Sequence, residues 1–178
     1  MSIFTRMANG WEIGKTSLKV LNANKSFLVF PVLSGISMVF VIGSFFMVLM
    51  PDAHLNTGYV NNVRDGSVYF VLFLFYLLTY FIIVFFNMGL MHCARLYFDG
   101  EDASVGRGLK FSAGRIGAIF TWALFAATVG VVLRMLQDKA GWLGKILIGL
   151  VGIAWSVATF FVVPVLAYEN LGPMAALK

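Results

Sequence analysis

The sequence contains few of the residue types on which catalytic and metal sites depend. Only 12% of its 178 residues are charged, and it has two histidines and a single cysteine, Cys93. One cysteine excludes an intramolecular disulfide, and a metal site would need carboxylates for most of its ligands. GxSxG, HExxH and P-loop motifs, which mark esterases, metalloproteases and nucleotide-binding proteins, do not occur. The sequence therefore assigns no catalytic, cofactor-binding or metal-binding residue.

Charge is also missing from long stretches of the chain. Residues 66–94 contain no Lys, Arg, Asp or Glu, 60% of the chain is hydrophobic, and the mean hydropathy is +0.89. An apolar run of about 18 residues or more predicts a membrane-spanning helix, because such a helix crosses the hydrocarbon core. We predict an all-α membrane protein with one membrane domain, residues 1–178, and transmembrane helices over residues 26–51, 67–94, 116–133 and 146–168.

The segment before the first span has the pattern of an interfacial helix. Residues 3–25 are too polar to span a membrane, but they place apolar and basic side chains at helical spacing. Such a helix lies in the membrane interface, although its apolar stripe could instead pack on other helices of the protein. We predict interface positions for Phe4, Met7, Trp11, Lys15, Leu18 and Lys19, and for Trp142 before the fourth span.

Two later segments repeat part of this arrangement. Residues 101–113, with Ser104 as N-cap, begin with Glu101, and residues 170–178 directly follow Glu169. Each of these acids is followed by Asp or Asn and then, seven residues later, by Leu-Lys, and each segment follows a returning span. We therefore predict four spans in two hairpins, each preceded by a cytoplasmic-side amphipathic helix. The last interfacial segment ends early, so we expect a natural parent protein to continue with a further hairpin.

Small and amide side chains indicate where helices meet. Small residues four positions apart allow the backbones of two membrane helices to approach closely, and an amide inside a span needs a hydrogen-bonding partner. For Asn87 the alternative is the lining of a polar cavity. We predict helix-packing roles for Ala123, Ala126, Ala127, Gly130, Gly152, Ser156 and Asn87.

The basic residues predict an orientation. Nine Lys and Arg residues flank one side of the predicted spans and four flank the other, and positive residues concentrate on the cytoplasmic side. We therefore expect a multi-pass protein of the inner (cytoplasmic) membrane with both termini in the cytoplasm. The net charge of +5 lies at the span ends, so we expect no nucleic-acid partner.

Short motifs along nearly the whole chain carry a resemblance. They are Asn9-Gly10-Trp11-Glu12, Ser17-Leu18-Lys19-Val20-Leu21, Phe30-Pro31, Ser34-Gly35, Phe86-Asn87, Asp99-Gly100-Glu101, Trp155-Ser156 and Val163-Pro164-Val165. With them the chain resembles an uncharacterised family of small prokaryotic integral membrane proteins. More distantly it is similar to the membrane domain of some glycerophosphodiester phosphodiesterases. The resemblance implies interfacial helices and hairpins, commonly with more spans than four, and no catalytic residue.

Three functional hypotheses follow. The first is a non-enzymatic membrane scaffold or accessory subunit that binds lipid and either another membrane protein or a second copy of itself. The alternative is a transporter or channel for a lipid-like or small solute, for which Ser34, Thr79, Asn87 and Ser156 would line one cavity. The third is an enzyme acting on lipid headgroups, which needs His92, Asp99 and Glu101 brought together.

Overall fold

The described part of the chain is all-α. The computed structural model describes residues 11–12, 15, 24–49 and 67–168. A short 3-10 turn, Lys25–Leu28, precedes five α-helices: α1 (Val29–Leu49), α2 (Ser67–Phe98), α3 (Val105–Gly114), α4 (Ile116–Lys139) and α5 (Trp142–Tyr168). Of these, α1, α2, α4 and α5 are long and apolar enough to cross a membrane. The prediction of an all-α chain with four such helices is confirmed.

Three of the long helices extend beyond their predicted spans: α2 and α4 at their C-terminal ends, and α5 at its N-terminal end, where it begins at Trp142. Helix α2 has 32 residues, or about 48 Å, and continues past Ala94 to Phe98. Because the hydrocarbon core is about 30 Å thick and helix tilt averages about 20°, part of α2 lies outside the hydrocarbon. Helix α4 continues past the predicted span end at residue 133 to Lys139, and only Ala140 and Gly141 separate α4 from α5. Arg134 and Asp138 stabilise this extension as an ion pair one helical turn apart, 3.3 Å between Nε and Oδ1.

The main core joins α2, α4 and α5. Trp122 of α4 is fully buried, and its ring stacks on that of Trp155 of α5 with centroids 6.1 Å apart. The buried residues around it come from all three helices: Val84, Met88, Ile119, Ala126, Val162, Val163, Leu166 and Ala167. They lie toward the end of the bundle where α2 ends and α4 begins, which we call the α3 end. The opposite end, where α4 turns into α5, is the turn end.

The small residues of α4 face this core. Ala123, Ala126 and Ala127 are fully buried, and a Cβ built on Gly130 would lie 3.2 Å from the Tyr76 ring of α2. The apolar side chains of α2 therefore cover the small-residue face of α4 within the chain itself.

Three residues predicted to pack between helices do not do so in the described part of the chain. Asn87 is exposed, as is Ile83 one turn earlier on the same face of α2, and no described residue forms a hydrogen bond with the Asn87 amide. A Cβ built on Gly152 meets no atom within 4 Å, and the exposed Ser156 donates its hydroxyl to the Gly152 carbonyl of its own helix. Gly152 and Ser156 make no such contact because α4 and α5 share their buried contacts nearer the α3 end, at residues such as Ile119 and Leu166.

Only some of the residues predicted to lie at the membrane interface belong to the described part of the chain. Trp11 and Lys15 are helical and exposed, and the Lys15 ammonium lies 5.7 Å from the Trp11 ring centroid. Trp142 is the first residue of α5 and is 72% exposed. Its role at the interface stays a prediction. Phe4, Met7, Leu18, Lys19 and the segment 170–178 lie outside the described residues.

Candidate functional site

A tight turn leads the chain from α2 into α3. Gly100 has a φ of +75°, a left-handed conformation that glycine adopts without strain. The Gly100 N–H donates to the Tyr97 carbonyl and the Glu101 N–H to the Leu96 carbonyl, which is the Schellman arrangement of a helix end. Helix α3 then begins as the sequence predicts, because the Ser104 hydroxyl accepts a hydrogen bond from the Arg107 N–H.

Two glycines allow α3 to lie directly on α2. A Cβ built on Gly108 of α3 would lie 2.7 Å from the Gly89 carbonyl oxygen of α2 and 2.6 Å from both Cys93 Sγ and Phe30 Cζ. A Cβ built on Gly89 would lie 2.7 Å from Phe30 Cε1. Neither position has room for a side chain, so the two backbones meet with the Phe30 ring of α1 beside them.

Side-chain hydrogen bonds hold α3 in this position. The buried Ser112 hydroxyl donates to the Phe85 carbonyl at 2.8 Å, and the Cys93 thiol donates to the Ser104 carbonyl at 3.2 Å. Between these bonds the rings of His92 and Phe111 stack, with centroids 3.9 Å apart and planes 4° from parallel. Helix α3 is therefore fixed to α2 at its start, through Ser104, and near its end, through Phe111 and Ser112.

An open pocket of about 340 Å³ lies beside this contact. We call it the α3 pocket; it is lined by His92 and Leu96 of α2, Glu101 of the turn, and Arg107, Lys110 and Phe111 of α3. Arg107 Nη1 pairs with Glu101 Oε2 at 3.4 Å and donates to the Asp102 carbonyl at 3.0 Å. No described carboxylate pairs with the Lys110 ammonium. The pocket thus offers two cations, one of them without a counter-ion in the described chain.

The lipid-headgroup enzyme hypothesis depends on three side chains, and the pocket brings two of them together. His92 and Glu101 line it, whereas Asp99 pairs with Arg95 at 3.6 Å and does not. His92 Nδ1 is buried and has no hydrogen-bonding partner in the described structure. Among the described residues, no three His, Cys, Asp or Glu side chains are placed to hold a metal ion.

Arginines join the end of α5 to the same region. The Arg95 guanidinium lies 4.6 Å from the Tyr168 ring centroid, and Arg115 Nη1 donates to the Leu166 carbonyl at 3.3 Å. Arg115 also lies over the Phe111 ring, 5.1 Å from its centroid. Cations from α2, from α3 and from Arg115 between α3 and α4 therefore gather at the α3 end.

A second cavity, of about 210 Å³, lies between α2, α4 and α5 toward the turn end. We call it the three-helix crevice; its walls include Tyr76, Tyr80, Gly130, Arg134, Gly152 and Trp155. Ser156 also lines it, but Ser34, Thr79 and Asn87 do not, so the polar residues named for the transporter alternative do not converge on one cavity in the described chain. The Thr79 hydroxyl is buried, and no described residue forms a hydrogen bond with it.

The sequence analysis named some of the residues that line the two cavities but missed the others. Tyr76, Tyr80 and Trp155 look like membrane-facing aromatics in the sequence, and nothing local distinguishes Gly89 or Gly108 from other glycines. For the α3 pocket the sequence offers one signal: Arg107 and Lys110 are three residues apart on a predicted helix, so their side chains share one face.

Four long apolar helices indicate that the chain is an all-α multi-pass membrane protein. Residues 66–178 match the model of DUF6159, a family of unknown function, and the chain belongs to this family. No curated protein and no solved structure matches the chain. The expected similarity to membrane domains of glycerophosphodiester phosphodiesterases therefore stays a prediction.

Proposed function

We propose that the protein is a non-enzymatic scaffold or accessory subunit of the inner (cytoplasmic) membrane that binds the phosphate group of an anionic lipid in the α3 pocket. The observation that carries this proposal is that two cationic side chains, Arg107 and Lys110, line the same open cavity beside α2. Basic pockets beside transmembrane helices on the cytoplasmic side are typical binding sites for anionic lipid headgroups.

The position of the pocket along the helices supports this ligand. His92 and Leu96 belong to the last two turns of α2, and α2 is longer than the hydrocarbon core is thick. In the proposed topology, α1–α2 and α4–α5 form two hairpins with both termini in the cytoplasm. Helix α3 then lies in the cytoplasmic interface, and the excess of basic residues on that side supports the orientation. The exposed residues Arg107 and Lys110 would face the anionic headgroups of this leaflet.

The arrangement of the acids supports binding rather than catalysis. Asp99 and Glu101 each pair with an arginine, and each ion pair occupies a carboxylate oxygen that a general base would use. Phe111 covers one face of the His92 imidazole by stacking. We therefore propose that these groups shape a binding pocket and carry out no reaction.

A lipid-binding measurement tests the proposal. The double variant Arg107→Gln/Lys110→Gln is compared with wild type by native mass spectrometry in micelles containing phosphatidylglycerol and phosphatidylcholine. Each Lys or Arg near an anionic surface contributes about 1 kcal/mol, so losing two should weaken retention of phosphatidylglycerol about 30-fold. Retention of phosphatidylcholine should not change.

The matched control removes two cations from the turn end. Lys139→Gln/Lys145→Gln changes the net charge equally, and both lysines are exposed. Phosphatidylglycerol retention should stay within about twofold of wild type, because these residues lie far from the pocket. An equal loss of phosphatidylglycerol retention in both double variants would show that retention depends on overall charge, and it would refute the proposed site.

The scaffold role requires its own measurement. Gentle extraction from the native membrane followed by mass spectrometry should recover a membrane-protein partner, or a second copy of the chain, in constant proportion. A lone chain that carries only lipid would contradict the scaffold proposal and favour the transporter alternative.

A further inference from the structure

We propose that the three-helix crevice binds a fatty-acid-type ligand, one acyl chain with a carboxylate head, at a site separate from the α3 pocket. The head would lie at Arg134 and Gln137 near the turn end, and the chain would extend inward along Tyr76, Tyr80 and Trp155.

The shape of the crevice suits a single chain. Gly152 lies ten residues into α5, about 15 Å along the helix, and a Cβ built on it meets no atom within 4 Å. The free space therefore continues inward from the turn end toward the middle of the membrane. Its volume of about 210 Å³ is less than the usual 300 Å³ or more of a drug-sized pocket, so the crevice holds part of a single acyl chain and not a whole phospholipid.

The walls provide a gradient of polarity. The rings of Tyr76, Tyr80 and Trp155 form the inner part, and the guanidinium of Arg134 and the amide of Gln137 lie at the outer part. An amphiphile with its polar head outward matches this gradient. A small polar solute would leave the carbon surface of these rings without an apolar partner.

The charges favour a carboxylate head. No carboxylate lines the crevice in the described chain, and Arg134 uses its Nε to pair with Asp138. A guanidinium has five N–H donors, so the two terminal nitrogens of Arg134 keep donors for a second oxyanion. Lys145 precedes Gly152 by two helical turns on the same face of α5 and adds a second cation on the approach from the turn end.

Photolabelling tests this inference. Wild-type protein in phosphatidylcholine nanodiscs is exposed to a photoreactive palmitic acid analogue, and the labelled peptides are mapped by mass spectrometry. We expect labels on α4 and α5 around Gly130 and Gly152. Gly152→Phe should reduce labelling at least about tenfold, because the new ring occupies the chain position. The control is Ala154→Phe, which places the same ring on an exposed face of α5.

A second experiment tests whether the head group of the ligand is a carboxylate. Arg134→Gln should reduce labelling by the carboxylate probe about tenfold and leave labelling by the matching palmityl alcohol probe unchanged, because only the carboxylate uses the charge-assisted bond. Equal labelling of Gly152→Phe and Ala154→Phe, or preferential labelling by a photoreactive lysophospholipid, would overturn the inference. Arg107→Gln/Lys110→Gln should leave the labelling intact, which separates this site from the proposed phosphate site.

Discussion

Replacing Gly108 by alanine should release α3 from α2. The added Cβ would lie 2.7 Å from the Gly89 carbonyl oxygen and 2.6 Å from Cys93 Sγ and Phe30 Cζ, whereas ordinary contacts begin near 3.4 Å. The ring and the thiol could rotate, but the carbonyl oxygen belongs to the backbone of α2. Helix α3 would have to move by about 0.7 Å, the difference between 2.7 and 3.4 Å, and this would strain the Ser112 and Cys93 hydrogen bonds.

Inserting a methyl group into a closely packed contact costs about 1–3 kcal/mol. If that cost falls on the contact between α2 and α3, the population in which α3 is detached rises about 5- to 150-fold. Gly106 is the matched control, because it lies in the same helix and a Cβ built on it meets nothing within 4 Å. Gly106→Ala should be neutral or stabilise α3 by about 0.5–1 kcal/mol, since alanine favours a helix more than glycine does.

The chain contains its own reporter for this change. Cys93 is the single cysteine and is fully buried beneath α3. Its rate of labelling by N-ethylmaleimide in mild detergent should follow the population with α3 detached. We expect slow labelling of the wild type and of Gly106→Ala. Labelling of Gly108→Ala should be about 5- to 150-fold faster. Gel filtration of each variant before labelling establishes that it is folded.

Equal labelling rates for the two glycine variants would refute this account of the α2–α3 contact. Wild-type labelling as fast as that of protein unfolded in dodecyl sulfate would show that α3 does not cover Cys93.

Three further predictions concern thermal stability in detergent. Ser112→Ala should cost about 0.5–1.5 kcal/mol through its lost bond to the α2 backbone, and the exposed Ser44→Ala should cost less than about 0.5 kcal/mol. Trp122→Ala should cost about 3–5 kcal/mol because the ring is fully buried, whereas Trp142→Ala, 72% exposed, should leave the melting temperature nearly unchanged. Arg134→Gln should change stability by less than about 1 kcal/mol, since its ion pair is half exposed. A large effect of an exposed substitution, or none for Ser112 or Trp122, would contradict the packing described here.

The number and type of the helices could be predicted from the sequence because long apolar runs leave little choice of structure in a membrane. The helix ends were less predictable. Arg134 looked like the end of a span, but a charged residue does not end a helix when a partner one turn away, here Asp138, pairs with it. The N-cap at Ser104 was predictable because capping depends only on neighbouring residues.

The two cavities could not be predicted, because each depends on how different helices meet. Asn87 was expected to bind another helix, yet the face of α2 that carries it points away from the core. Gly152 was expected to contact a helix and instead leaves open space in the crevice. The spacing of residues in one helix gives the face they share, but it does not give the neighbour that the face will meet.

The contact of Phe30 with Gly89 and Gly108 has a consequence for biogenesis. Phe30 is in the first turn of α1, and the backbones it fits against are synthesised about sixty and eighty residues later. At a synthesis rate of about 5–20 residues per second, α1 therefore exists for several seconds before its binding surface does. During that interval the Phe30 ring lacks the glycine surface against which it packs in the folded chain. Packing of the first turn of α1 is thus completed only with α3, and truncation before Gly108 should remove that part of its contact surface.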